Sequence, residues 1–225
     1  VLVLVVDSST PAVTAALAEV SADGVVLRAY RRTVDARAHG ELLAPQVDAV
    51  LADADARAAD LTAVVAGLGP GPFTGLRVGL VTAATMGQVL GIPTYGVCSL
   101  DGVGHPAAAG EPVLAATDAR RKEIYWAVYD GAGQRIAGPD VDAPAVVAER
   151  ARDLAVTVAV GDGALRYADV LGLPVRDEPR YPDPAALVRL AAERIRAGAP
   201  TEPLTPLYLR RPDAVAATGR KPVLP

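Results

Sequence analysis

Val1-Leu2-Val3-Leu4-Val5-Val6-Asp7-Ser8-Ser9-Thr10-Pro11 opens with six apolar, mostly β-branched residues and stops on an acid, three hydroxyls and a proline. A short apolar run closed by turn residues reads as a buried strand. Asp and Ser can bond their own backbone, so Asp7–Thr10 reads as the turn that ends it. Residues 13–20 resume as a strand, and Ala22-Asp23-Gly24 is a hairpin turn into 25–30. The chain therefore starts with three antiparallel strands.

Beyond them the period changes. His39, Leu42, Leu43, Gln46, Val47, Val50 and Leu51 recur at i, i+3, i+4 and i+7, which predicts an amphipathic helix over 39–54. A strand within 61–68, a loop over 69–75, a helix over 76–90 ended by Gly91 and Pro93, and a strand over 94–97 follow. The small-residue stretch 102–110 reads as a boundary. The order then begins again, with strands over 112–117, 124–129 and 134–137, a helix over 145–154 and a strand over 156–160. Helices over 164–171 and 185–196 close the pattern, and a Pro-bounded tail contains Leu207-Tyr208-Leu209. Strand, strand, strand, helix, strand, helix thus appears twice without a sequence repeat, a duplication of architecture. Two such halves facing each other make an α/β, duplicated actin-like (ASKHA) fold of two RNase H-like ββαβα-type lobes. Residues 1–104 would form the first lobe, with the partner-docking helices, and 105–225 the smaller second lobe and tail. A doubly wound single sheet is the rival.

Composition narrows the function. Of 225 residues, 51% are hydrophobic, enough for a sizeable core. The net charge of -4 argues against this chain being the main binder of a polyanion, since phosphate binding needs concentrated Lys and Arg. A lone cysteine, Cys98, permits no internal disulfide and suits a reducing cytosol, so a cytoplasmic location is expected. The apolar start ends at Asp7, whereas a membrane helix needs ~20 residues, so no membrane is expected.

Two segments carry anion-binding chemistry. At Asp7-Ser8-Ser9 the hydroxyls and amides can donate to phosphate and the carboxylate can hold Mg2+ or its waters; the alternative is a plain self-bonded turn. In Gly69-Pro70-Gly71-Pro72-Phe73-Thr74-Gly75 the glycines let amides approach an anion. They equally suit a rigid turn into the helix, and no Walker Gly-Lys-Ser/Thr follows. Asp7, Ser8, Ser9, Gly69, Gly71 and Gly75 are therefore the candidate nucleotide site, with weak ATP or ADP plus Mg2+ as its ligand. No Ser/His/Asp triad and no zinc-protease motif can be assembled.

Val5-Val6-Asp7-Ser8-Ser9-Thr10, His39-Gly40-Glu41-Leu42-Leu43, the run from Gly69 to Gly79 and Pro206-Leu207-Tyr208-Leu209-Arg210 resemble four marks of the TsaB (YeaZ) family. The run from Gly69 to Gly79 is the specific one. The resemblance extends from Val1 to about Pro212 and implies the actin-like fold. It implies pairing with a related catalytic subunit, TsaD, which transfers threonylcarbamoyl to the adenosine beside the anticodon in certain tRNAs. The TsaE ATPase would complete the assembly, tRNA would be met only through the complex, and some members form homodimers through the same surface. The catalytic relative holds a metal on His-x-x-x-His. Here His39 has Asp35 and Leu43 four residues away, and His105 has Asp101 and Ala109, so no catalytic residue, metal or required cofactor is expected. Asp101 and His105 could pair on one face, but Gly102 and Gly104 argue against a firm helix there.

The leading reading is therefore a scaffold subunit that docks and activates TsaD. Its interface would comprise His39, Leu42, Leu43, Gln46, Val47, Val50 and Leu51 of the first helix and Arg77 and Leu80 of the second. One edge of the first stripe is expected to stay uncovered. The alternatives are an ATP-dependent phospho- or carbamoyl-transferase using Asp7 and the 69–75 loop, and a self-sufficient regulatory homodimer.

Overall fold

The structure, a computed structural model, describes residues 1–210. Strands β1 (Leu2–Asp7), β2 (Ala12–Val20) and β3 (Val25–Val34) form the antiparallel meander, and β4 (Ala63–Gly67) and β5 (Thr94–Val97) continue the sheet parallel to β1. The order is β3-β2-β1-β4-β5. Helix α1 (His39–Asp53) carries the chain from β3 to β4, and α2 (Phe73–Leu90) makes the crossover from β4 to β5 that a parallel pair requires. A second sheet has the order β8-β7-β6-β9, with β6 (Val113–Asp118), β7 (Ile124–Tyr129), β8 (Arg135–Asp142) and β9 (Val158–Val160). Helix α4 (Pro144–Asp153) precedes β9, and α5 (Asp162–Arg166) and α6 (Ala168–Leu171) follow it. Two sheets with the same strand order, the second one strand shorter, make the duplicated actin-like architecture rather than a single doubly wound sheet.

Strand alternation gives each sheet two apolar faces, and both must be covered. In the first lobe, α1 and α2 cover Leu4, Val6, Val13, Ala15, Leu17, Val64 and Ala66. The opposite face, with Val3, Val5, Ala16, Ala18 and Val65, is covered by Leu187, Val188, Ala191, Ala192 and Ile195 of α7 (Pro184–Arg196). Helix α3 (Asp101–Ala107) instead lays Val103 and Ala107 on Val113, Ala115, Tyr125 and Tyr129 of the second sheet. The expected division at 104/105 falls inside α3, and α7, beyond it in the chain, packs on the first lobe. The first lobe caps its second face with a helix from beyond that boundary, because α1 and α2 are spent on its first face.

Helix α3 also forms where two glycines argued against one. A Cβ on Gly104 would lie 2.0 Å from Cε2 of Tyr129, so the helix can seat on that ring only without a side chain there. Its other glycine, Gly102, faces Leu187 of α7 in the same way, at 2.9 Å. Strands β3 and β8 run beyond the expected 25–30 and 134–137, and α2 begins at Phe73 rather than 76.

Gly104→Ala must displace a fully buried tyrosine ring, an overpacking change that costs about 1–3 kcal/mol. Denaturant unfolding should register that loss. A variant as stable as the parent would mean that the α3–Tyr129 contact does not limit packing.

Candidate functional site

The turn after β1 is where the sequence places its anion chemistry. Asp7 is buried, and both carboxylate oxygens are used: Oδ1 accepts from the Ser9 amide (3.0 Å) and hydroxyl (2.8 Å), and Oδ2 accepts from the Ser99 hydroxyl at 2.5 Å. Ser99 Oγ in turn accepts from the Gly69 amide at 3.0 Å. Ser8 donates to the Gly75 carbonyl at 2.7 Å and accepts from the Gly79 amide at 2.9 Å, tying the first turn of α2 to the end of β1. A Cβ on Gly71 would stand 2.1 Å from the Ser9 carbonyl oxygen, which is why this segment carries glycine. Asp7, Ser8, Ser9, Gly69, Gly71 and Gly75 are thus brought together as a packed joint between β1 and α2. Gly71 and Gly75 alone of the six border the cleft between the lobes. Burial raises the Asp7 pKa, with the bonds from Ser99 and Ser9 pulling it back.

The expected interface stripe is largely claimed by the first lobe's own core. Leu43, Val47, Val50 and Leu51 of α1 and Leu80 of α2 are buried in the first lobe's own core, and Leu42 packs half-buried against it. They must be, because the middle of the sheet face beneath them, from Leu4 and Val6 to Leu17 and Val64, is apolar. Gln46 is buried too, with no hydrogen-bond partner for either amide atom among the described residues. His39 is buried and donates from Nε2 to the Thr10 carbonyl at 2.8 Å. None of these forms the uncovered edge. On α2, by contrast, the outer side keeps Phe73, Val81 (63% exposed) and Val89 (76%) in solvent. Arg77 belongs to this outer side. Its guanidinium stands 3.6 Å above the Phe73 ring and its Nε donates to the Tyr208 hydroxyl at 2.8 Å. Asp101 and His105 do not form a pair: Asp101 accepts from Tyr129 (2.7 Å) and Arg135 (2.9 Å), and His105 Nδ1 donates to the Gly133 carbonyl (3.0 Å).

Two adjoining cavities lie between the lobes. One, of about 290 Å³, is lined by Thr10, His39, Thr74, Gly75, Asp118 and Arg120 among others. The other, of about 440 Å³, is lined by Phe73, Arg120, Tyr125, Tyr208, Leu209 and Arg210 among others. Arg120 belongs to both. It lies in the β6–β7 turn, where Arg120, Arg121 and Lys122 have φ values of 61°, 53° and 63°. Three successive non-glycine residues in the left-handed region are strained, at about 1–3 kcal/mol each. The reading of the sequence passed over this turn; three basic residues in a row between two strands, with no Gly or Asn to make the bend, were its signal. Beside it, the Asp118 amide donates to Asp162 Oδ1 at 3.2 Å, and Asp118 pairs with Arg166 at 2.9 Å. Burial pushes Asp162 up to about 6, with the Asp118 charge adding to the rise and backbone bonds opposing it.

Two actin-like lobes whose first turn is filled by its own side chains define the class of protein. The family model described as TsaD: tRNA N6-adenosine threonylcarbamoyltransferase matches residues 33–214. An uncharacterized protein of Mycobacterium tuberculosis (strain H37Rv) is 50% identical over 212 residues, covering 94% of this chain and 93% of its own. The Escherichia coli tRNA threonylcarbamoyladenosine biosynthesis protein TsaB is 31% identical, covering 92% and 94%. The solved structure of YeaZ from Pseudomonas aeruginosa superposes with a TM-score of 0.75 at 27% identity, covering 92% of this chain and 99% of that one. The chain belongs to this family, on its TsaB (YeaZ) side. Among the described residues no helix is long and apolar enough to cross a membrane.

Asp162 supplies a pH test. Its folded pKa, about 6, lies above the ordinary 3.8, so the folded state holds its proton more tightly than the unfolded chain. The stability it contributes is complete below about pH 4 and is lost as pH rises through about 6. Asp162→Asn should flatten this part of the profile of unfolding midpoint against pH, and an unchanged slope would place the titrating group elsewhere.

Proposed function

We propose that this chain is a non-catalytic partner subunit in tRNA threonylcarbamoyladenosine biosynthesis, which docks a TsaD-type catalytic subunit and holds it in its active form. The observation that carries the reading is the outer side of α2. Val81 and Val89 are strongly exposed on an 18-residue helix whose inner side is buried in its own lobe. With exposed Ala84 between them they line one side of the helix, and a contiguous apolar patch, unlike a lone surface residue, marks an interface. The family supplies the partner's kind, because the matching model is the transferase itself and the E. coli relative is named as a biosynthesis protein. The TsaE ATPase would join the resulting complex, and a homodimer through the same helix is the form expected when the partner is lacking.

The enzyme alternative needs Asp7 to hold a metal or its waters. Both Asp7 oxygens already accept hydrogen bonds from Ser9 and Ser99, and the residue is buried, which favours the scaffold. ATP turnover by the purified chain, freed of other subunits, would restore the enzyme reading.

Val81→Asp and Val89→Asp place a charge on an exposed position, so folding stability should stay within about 0.5 kcal/mol of the parent. Either change would strand that charge in an apolar contact and should weaken association with the TsaD-type subunit by ~10-fold or more. Leu43→Ala, in the core, should instead lose about 2–5 kcal/mol of stability. Calorimetric titration alongside thermal unfolding separates the two effects. If both aspartate variants bind like the parent, α2 is not the docking face.

A further inference from the structure

The larger interlobe cavity is not used by the docking reading. Its walls combine two kinds of group. Phe73 and Tyr208 are stacked with ring centroids 4.9 Å apart, yet they remain 48% and 41% exposed. Around them stand Arg77 and Arg120, with Lys122 in the same turn as Arg120, and Arg210, whose charge is paired with Glu123. Asp118, at the start of the same turn, is paired with Arg166. In a chain of net charge -4 this is a local concentration of cations, which is what phosphate binding requires. Exposed aromatic rings and guanidinium planes are the platforms on which unpaired RNA bases stack. A volume of about 440 Å³ falls within the roughly 300–1,000 Å³ of small-ligand clefts, enough for one base and its sugar. The strain held in the 120–122 turn keeps Arg120 between both cavities at an energetic cost that a plain hairpin would avoid.

We infer that this cleft takes an unpaired nucleotide of an RNA strand, with its phosphate at Arg120 and its base against the Phe73–Tyr208 pair. The inference rests on the reading of the chain as a component of tRNA modification, and gives it a direct contact with RNA that the overall charge argued against. Duplex RNA is disfavoured because its bases are stacked within the helix and cannot enter. A free nucleotide shares the chemistry but lacks the neighbouring phosphates that the remaining cations would meet.

The test is fluorescence anisotropy of the full chain with a short single-stranded RNA at low salt, with ATP and a duplex RNA of equal length as separate arms. Arg120→Gly removes the guanidinium at a φ of 61° that glycine adopts freely, and Tyr208→Ala removes an exposed ring, so both should stay folded by thermal unfolding. Each should weaken single-strand binding by ~10-fold or more. Arg152→Glu, which makes a larger charge change on α4 outside the cleft, should leave it within about twofold, as surface positions away from a site do. Undetectable binding of the single strand, an equal loss in Arg152→Glu, or tighter binding of ATP or duplex than of the single strand would each overturn the inference. An intact association with the TsaD-type subunit alongside such a failure would leave the docking reading standing.

Discussion

The hydrogen bonds that Ser8, Ser9 and Ser99 make around the end of β1 hold the first lobe in register. Ser8 spans from β1 to the Gly75 carbonyl and the Gly79 amide, so the direction in which α2 leaves the sheet is set by one hydroxyl. Ser99 joins Asp7 to the Gly69 amide, so the start of the 69–75 loop is fixed to the chain that follows β5. Buried polar groups of this kind are costly unless every one is paired, and here they pair with one another. The close approach that makes this possible depends on Gly71 and Gly79, whose Cβ atoms would otherwise stand 2.1 Å and 2.5 Å from Ser9 and Ser8 atoms. The motif that looks like a phosphate cradle also clamps α2 to the sheet.

That clamp gives α2 two distinct sides. Its inner side is small or apolar, with Gly75, Leu76, Gly79, Leu80, Ala83 and Gly87 buried against the sheet and α1. Its outer side keeps Val81 and Val89 in solvent. A helix pinned at its N-terminal turn presents its outer residues in fixed positions, which lowers the ordering cost of an association. The far end is held as well: Gly91 caps α2 in the left-handed conformation, and the segment after α7 runs alongside β5, with the Glu202 amide donating to the Thr94 carbonyl.

The duplicated strand order was legible because periodicity is local. The apolar run of β1, the Ala22-Asp23-Gly24 hairpin and the alternation of β7 each state their element within a few residues. Which helix covers which face was not legible, since it depends on contacts between distant segments: α7 lies under the first sheet and α3 under the second. The α1 stripe was legible as apolar, but Leu43, Val47 and Val50 read the same whether they meet a sheet or a partner. Only the completed sheet face shows that the core claims them. The six residues of the expected nucleotide site lie together, yet nothing in their types reveals that both Asp7 oxygens would be taken by Ser9 and Ser99. The 118–123 turn was missed because its signal is conformational strain, which sequence shows only as the lack of Gly or Asn where a bend must occur.

The two lobes are also joined by the last described segment. The Leu207 amide donates to the Leu68 carbonyl of the first lobe, while Leu207 and Leu209 pack on the second lobe's core. Arg210 bonds the Ala119 carbonyl and pairs with Glu123 on the far side of the cleft. Between those two anchors Tyr208 takes its hydrogen bond from Arg77 of α2. One short stretch thus touches the outer start of α2, the strained turn and both cores. Opening the lobes would have to break these contacts together. A cleft and a helix held by such bonds are preorganised, and preorganised surfaces lose little freedom on binding.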